Sequence, residues 1–440
     1  MNNEINYQNE ITPLGKVNFR SDNREFGIKD KDRLYHIWAI GKTGTGKSTL
    51  LQNMAISDIQ KGKGCAIIDP HGEIADNILK YIPHDRIEDV IYFNPTDMEF
   101  PIAFNPLKNV HPEYHHLVAS GLLSTFQKLW LDNWGPRLSH ILKHSLLTLL
   151  EYRESSLLDI QPLLTDIEYR HKVLSRIKSQ YLLAFWYNEF DKYSNAFRAE
   201  AIAPILNKLG LFSSSVPIRN IVGQKKRGFQ FQKIMEGKIF IANLSKGIIG
   251  EDASILLGCM LLTSFQLAAL YRASQPEHTR KPFYLYVDEA HSYMTTSFVD
   301  ILSEARKYGL SLFLTHQYVE QLKPEIRSAV MGNAGTIISF RIGPNDARYL
   351  AEEFYPVFNH HDMINLPRYC MYLKLMIDNE ASQPFSATSL PLMVKEKSFR
   401  REIIEHSRKQ YGKPRREVEK IVYTVEPQQT QQTLFQSSII

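Results

Sequence analysis

The chain has 440 residues, 43% of them hydrophobic and 22% charged, proportions that exclude a disordered chain and leave room for two or three domains. A formal charge of +5 permits an anionic partner without requiring one. Three cysteines, Cys65, Cys259 and Cys370, exclude a disulfide framework or a zinc knuckle and fit a reducing compartment.

The first residues, "MNNEINYQNEITPLG", are polar and show no apolar signal core, so residues 1–32 read as a short N-terminal segment and the location as cytoplasmic. The apolar run 34–40 then predicts a strand, and 48–60 an amphipathic helix. Between them lies "GKTGTGKST", in which Gly41, Gly46, Lys47 and Ser48 satisfy G-x-x-x-x-G-K-[ST]. Such a loop curls so that successive backbone N–H groups face phosphates, and the helix N-terminus adds partial positive charge. The predicted nucleotide-binding set is Gly41, Lys42, Thr43, Gly44, Thr45, Gly46, Lys47, Ser48 and Thr49. Lys47 is expected to bridge the β- and γ-phosphates and Ser48 to hold Mg²⁺.

Further strands are predicted at 64–70, 89–95, 238–245, 283–289, 310–316 and 336–342. Their continuously apolar character suits a parallel sheet covered on both faces. The run 64–70 ends in "DPHGE", where Pro70 and Gly72 make a turn by themselves; Asp69 and Glu73 are candidates for a place near the metal-bound water. From 111 to 224 apolar residues recur at three- and four-residue steps, the pattern of an inserted all-helical subdomain. Within it, Trp130 and Trp134 of "KLWLDNWGPR" suit either base stacking or buried packing. The stretch 253–273 is apolar but interrupted by Ser254, Ser264 and Gln266, and reads as a buried helix rather than a membrane span.

In "FYLYVDEAH" a buried strand delivers Asp288 to the carboxyl edge of a sheet, where it would hold Mg²⁺. Glu289 is then placed to polarise a water as general base; the alternative is that these residues only cap a following helix. Lys47 and Asp288 stand 241 residues apart, more than one nucleotide fold needs, and the helical insert fills the distance. The nearest string to a guanine-recognition motif, "NKLG" at 207–210, lacks its aspartate, which favours ATP. Thr315, His316 and Gln317 end the next strand, either to sense the γ-phosphate or orient water, or to satisfy a strand end. Arg306 and Arg341 are candidates for a finger reaching a neighbouring subunit's γ-phosphate, against a helix-dipole cap for the first and a salt bridge for the second. The tail, 395–440, reads as a basic helix followed by a low-complexity end.

Seven ordered strings, "GKTGTGKST", "AIIDPHGE", "DVIYFNPTD…PIAFNPL", "LSKGIIGED", "YVDEAH", "LSEARKYGLSLFLTHQ" and "GNAGTIISFRIG", together resemble the HerA/FtsK superfamily of ring ATPases. Within it the similarity is to TraG/TraD-type coupling ATPases of DNA transfer and their soluble relatives, over about residues 33 to 390. The resemblance implies a RecA-like core, a homohexameric ring and ATP-driven movement of DNA through a central channel, with the insert as the all-helical domain at one mouth. It carries nucleotide-site roles onto Lys47, Ser48, Asp288, Glu289 and Gln317, and the trans arginine onto Arg306. The core begins within about 35 residues, so a form without its own membrane helices, and without an N-terminal β-barrel, is expected.

The expected fold is thus α/β: a RecA-like P-loop NTPase core (33–110 and 225–394), mainly parallel, with the all-helical insert 111–224. The expected function is a Mg²⁺- and ATP-dependent motor that translocates DNA. No base-reading motif is present, so DNA contacts are expected at the backbone, from "GQKKRG" at 223–228, from Arg170, His171 and Lys172, or from the 395–420 helix. The alternatives are a motor subunit whose main role is docking a nuclease or secretion-channel partner, and a pump for protein substrates.

Overall fold

The computed structural model describes residues 10–18, 23–130, 134–226, 228–392 and 397–422. The low-complexity end, residues 131–133 of the tryptophan string and Arg227 of the basic run lie outside the described residues. In chain order the strands are β1 (Ile11–Val17), β2 (Glu25–Lys29), β3 (Ile37–Ile40), β4 (Gly64–Asp69), β5 (Val90–Phe93), β6 (Ile239–Asn243), β7 (Phe283–Val287), β8 (Leu310–His316), β9 (Thr336–Ser339), β10 (Cys370–Lys374), β11 (Met376–Ile377), β12 (Glu380–Ala381) and β13 (Phe385–Ser389).

All but the small β11–β12 hairpin join one sheet in the order β2-β1-β13-β10-β9-β3-β8-β7-β4-β6-β5. The seven strands from β9 to β5 are parallel, and they are the seven apolar runs of the sequence. The fold is the mainly parallel α/β P-loop architecture expected. The other four strands extend it antiparallel, β10 on β9, β13 on β10, β1 on β13 and β2 on β1. Their signal in the sequence is weak for physical reasons. Strand β1 contains Pro13 and Gly15 and carries a register shift between them, while β10 is only half buried, alternating inward and outward. Ile11–Val17 and Glu25–Lys29, both within the N-terminal segment of the sequence, are therefore strands of this sheet.

Two apolar layers cover the faces of the sheet. On β3, Ile37 and Ala39 belong to the layer under helix Lys47–Gln60, and Trp38 and Ile40 to the opposite one, as alternation along a strand dictates. The second layer includes helix Glu251–Leu270, buried along most of its length. Its extension Glu251–Ser274 is long and apolar enough to cross a membrane, yet 78% of its apolar window is buried in the protein.

Every element between β5 and β6 among the described residues is helical, notably His115–Leu129, Pro136–Tyr152 and Asn195–Ser214. This insert shares the apolar core of the sheet. Helix His115–Leu129 lies so close to helix Glu251–Leu270 that a Cβ at Gly121 would stand 2.6 Å from Thr263 Cγ2. Trp130 is buried and stacks on Phe126 with centroids 4.6 Å apart, so it is a packing residue, and the partly buried Trp134 lies against it. The charged tail forms two helices, Arg400–Tyr411 and Arg415–Val422. They break at Gly412–Pro414, where proline disfavours a helical residue before it.

Candidate active site

The phosphate loop hangs between β3 and helix Lys47–Gln60, with β8 and β9 on either side of β3. Gly41 N–H donates to the His316 carbonyl at the end of β8 (3.2 Å), and Lys42 N–H to the Arg341 carbonyl past β9 (2.8 Å). The crest formed by Lys42, Thr43 and Gly44 is exposed, while Thr45, Gly46 and Lys47 are buried. Gly46 has φ +128°, and a Cβ there would meet the Phe340 ring at 2.9 Å and the Tyr369 ring at 3.1 Å. Only glycine suits both conditions. Thr45 Oγ1 donates to the Lys42 carbonyl (2.7 Å), and the Lys47 ammonium donates to the carbonyls of Gly41 (2.5 Å) and Lys42 (3.2 Å). Burial lowers the Lys47 pKa, while the carboxylates of Glu289 and Asp288 push it up. Ser48 and Thr49 occupy the first turn of the helix, half exposed.

Two strands away, β7 ends at Val287 and presents Asp288 and Glu289, both buried. Glu289 sits in the left-handed region (φ +46°, ψ +50°). That conformation is costly for a side-chain-bearing residue and marks functional turns. Thr315 at the end of β8 fastens the pair: its hydroxyl donates to Asp288 Oδ1 (2.7 Å) and accepts the Glu289 N–H (3.1 Å). Gln317 Nε2 donates to Glu289 Oε1 (2.7 Å), and His291 Nδ1 lies 3.4 Å from Glu289 Oε2. Gln321 lies within hydrogen-bond reach of His291 (3.3 Å), and its amide oxygen accepts the Gln317 N–H. Burial raises the Asp288 pKa to about 7; the Thr315 hydroxyl opposes the rise, and the charges of Asp69 and Glu289 add to it.

These oxygens suit Mg²⁺, which takes one or two protein oxygens and fills its remaining positions with phosphates and water. Asp288 is buried and offers a carboxyl oxygen, Ser48 offers a hydroxyl from the helix start, and Glu289 Oε2 is buried without a hydrogen-bond partner. Among the described residues no cluster of three or more His, Cys, Asp or Glu side chains forms a metal site by itself.

The other candidates fall in different places. The Asp69 carboxylate is fully buried and accepts the N–H groups of His71 (2.8 Å) and Ala75 (2.9 Å), so it builds the turn as well as lending its charge to Asp288. Glu73 is exposed on the first turn of helix Glu73–Ile78, where a carboxylate suits the helix dipole. The His316 ring turns away into the core, accepting Trp38 Nε1–H at Nδ1 (2.9 Å). Arg341 lends its backbone carbonyl to the phosphate loop and leaves its side chain exposed. Arg306 lies at the opposite edge of the sheet, just before β8 begins, with its guanidinium 3.4 Å from the centroid of the Tyr35 ring.

Of the basic groups, Lys225, Lys226, His171 and Lys172 are exposed, but Arg170 is buried against the Leu163 carbonyl and Asp191. In the tail, Arg400 and Arg408 pair with Asp76 and Asp97 of the core. Sequence reasoning missed His291, Gln321, Phe340 and Tyr369. His291 stands in the "DEAH" string, whereas nothing in the sequence singles out the other three. It also missed Lys128 of the insert, whose ammonium donates to the carbonyls of His291 (2.7 Å) and Met294 (2.9 Å) and so ties the insert to the Glu289 loop.

The sequence profile of the type IV secretion-system coupling protein DNA-binding domain matches residues 27–355. Plasmid coupling protein TrwB in complex with the non-hydrolysable GTP analogue GDPNP superposes with a TM-score of 0.61 at 16% identity, over 87% of this chain and 90% of that one. TrwB in complex with ADP and Mg²⁺ gives the same TM-score, identity and coverage. VirB4 of Thermoanaerobacter pseudethanolicus superposes with a TM-score of 0.52 at 15% identity, over 87% of this chain and 97% of that one. At these identities the structural likeness speaks for the fold. No curated protein sequence matches.

Proposed function

The chain belongs to the type IV secretion-system coupling protein family, shown by the match over residues 27–355, and from that premise we propose that it is an ATP-hydrolysing motor that acts on DNA in conjugative transfer or related DNA processing. The observation that carries the reading is the meeting of the phosphate loop with Asp288, Glu289, Thr315 and Gln317 at the carboxyl edge of one parallel sheet. The solved TrwB complexes with ADP and Mg²⁺ and with a non-hydrolysable ATP analogue support the choice of ligands.

In this reading the loop amides from Gly41 to Gly46 cradle the phosphates and Lys47 neutralises the β- and γ-oxygens. Ser48 and Asp288 would hold Mg²⁺, which would supply charge stabilisation to the phosphates. Glu289 takes the proton of the attacking water; Gln317 orients its carboxylate and Thr315 fixes its backbone. Arg306 serves a neighbouring subunit of a homohexameric ring, and DNA is gripped mainly through its phosphates, with low sequence preference. Docking of a nuclease or secretion-channel partner is compatible with this chemistry and would use other surfaces.

ATPase assays with and without DNA test the proposal. Lys47→Ala and Glu289→Gln are expected to be inactive, with Glu289→Gln still binding ATP because the lost charge belongs to water activation. DNA is expected to stimulate the wild type in a salt-sensitive way. Full turnover by Glu289→Gln would remove the assigned base, and indifference to DNA at every salt concentration would remove the DNA motor.

A further inference from the structure

The polar groups gathered at the phosphate loop recognise phosphate and metal rather than a nucleobase. General features of phosphate loops limit where the base lies. The loop amides cradle the α- and β-phosphates and the lysine reaches the β- and γ-phosphates, so the nucleoside continues from the α-phosphate beside the start of the following helix. Here that helix begins at Lys47. The antiparallel end of the sheet walls it on one side, with the Leu390 carbonyl accepting Asn53 Nδ2–H (2.7 Å) one turn further along.

At the head of this wall stands Tyr369. Its N–H donates to the Thr45 carbonyl of the phosphate loop (2.8 Å), and its carbonyl accepts the Ser389 N–H (2.9 Å). Its ring lies against Gly46, 3.1 Å from where a Cβ would stand. Its φ of +66° is left-handed, which costs an aromatic residue strain that only surrounding constraints maintain. The residue is nevertheless 37% exposed. The Arg368 guanidinium lies over its ring, 4.8 Å from the centroid, and among the described residues no other ring or cation packs on that ring. A tyrosine pinned by two backbone bonds, strained and left partly open beside the nucleoside's exit, is more than a loop needs for packing. Tyr369 also lies beyond the residues that the family profile matches.

We propose that the Tyr369 ring is the stacking platform for the base of the bound nucleoside triphosphate, backed by the Arg368 guanidinium. The proposal rests on the nucleotide-binding reading above. Stacking uses the π-face, which every purine presents, so the platform contributes affinity without distinguishing adenine from guanine. It takes no part in moving the γ-phosphoryl group.

Equilibrium binding of ATP, GTP and inorganic tripolyphosphate to wild type, Tyr369→Ala, Tyr369→Phe and Tyr369→Trp separates the possibilities. Tyr369→Ala is expected to weaken ATP and GTP alike, by about tenfold to a hundredfold. Tripolyphosphate has no base and should bind all four proteins equally. Tyr369→Phe and Tyr369→Trp should retain ATP affinity, and steady-state assays of Tyr369→Ala should show a raised KM with kcat preserved. Unchanged ATP affinity in Tyr369→Ala would overturn the proposal. Equal loss of ATP and tripolyphosphate would overturn it too, by showing that the ring only shapes the phosphate loop. Failure of the wild type to bind any of the three would instead sink the nucleotide-binding reading itself.

Discussion

Asp288 is a carboxyl group set almost out of water between Thr315, Glu289 and the Lys47 ammonium, and burial holds its pKa near 7 against an ordinary 3.8. Between those values the folded protein keeps a proton that the unfolded chain has released. The nucleotide-free protein therefore loses stability as pH rises across that window. Asp288→Asn removes the titration and is expected to raise the nucleotide-free Tm at pH 8 while leaving it little changed near pH 4. Mg²⁺ with ATP should recover the deficit in the wild type and not in the variant. Thermal melts at the two pH values check this, and an Asn variant no more stable than wild type at pH 8 would contradict it. The same residue scale shows how reading ran short. The "DEAH" string announced Asp288 and Glu289, but that Thr315 fastens both depends on β7 and β8 lying side by side, which no local pattern states.

At the scale of elements, the tail is the instructive case. Its composition reads as a solvated basic helix, yet Arg400–Tyr411 docks on β5. Ile403 is fully buried, Ser407 accepts the Tyr92 N–H through its hydroxyl (3.0 Å), and the Arg408 guanidinium pairs with Asp97. Ile403→Ala is expected to cost about 2–4 kcal/mol of stability, the usual range for emptying a buried aliphatic site. Lys409→Ala on the exposed side should stay within about 0.5 kcal/mol. Denaturant melts compare the two, and equal effects would mean that the helix is not docked. The docking was illegible because two buried residues among many charges do not make a stripe. The insert was legible as helices, but its fusion with the core rests on Gly121 letting two helices approach and on Lys128 reaching the Glu289 loop.

For the whole molecule, the decisive relation is between the two edges of the parallel sheet. Gln317 and the phosphate loop stand at one edge and Arg306 at the other, separated by the seven residues of β8, about 20 Å at the usual rise per residue. Arg306 is thus out of reach of its own γ-phosphate, the arrangement that the proposed trans role requires. Arg306→Ala is expected to bind ATP normally, and, in the proposed ring, mixing it with wild type should depress turnover more than in proportion to its fraction. Strictly proportional loss would argue for a local role on Tyr35, where the guanidinium already stacks.

The sequence by itself determined the seven buried parallel strands, the phosphate loop and the carboxylate pair. Each is written in contiguous residues whose spacing states its own chemistry: an apolar run, a glycine-rich turn, a strand ending in acid. Only the tertiary structure decided which strands are neighbours, that β1, β2, β10 and β13 widen the sheet, and that Tyr369 lies against Gly46. Several of those relations join residues hundreds of positions apart, as β1 with β13 and Gly46 with Tyr369. They are settled by which faces must be buried together, a property of the assembled layers that no short stretch of chain contains.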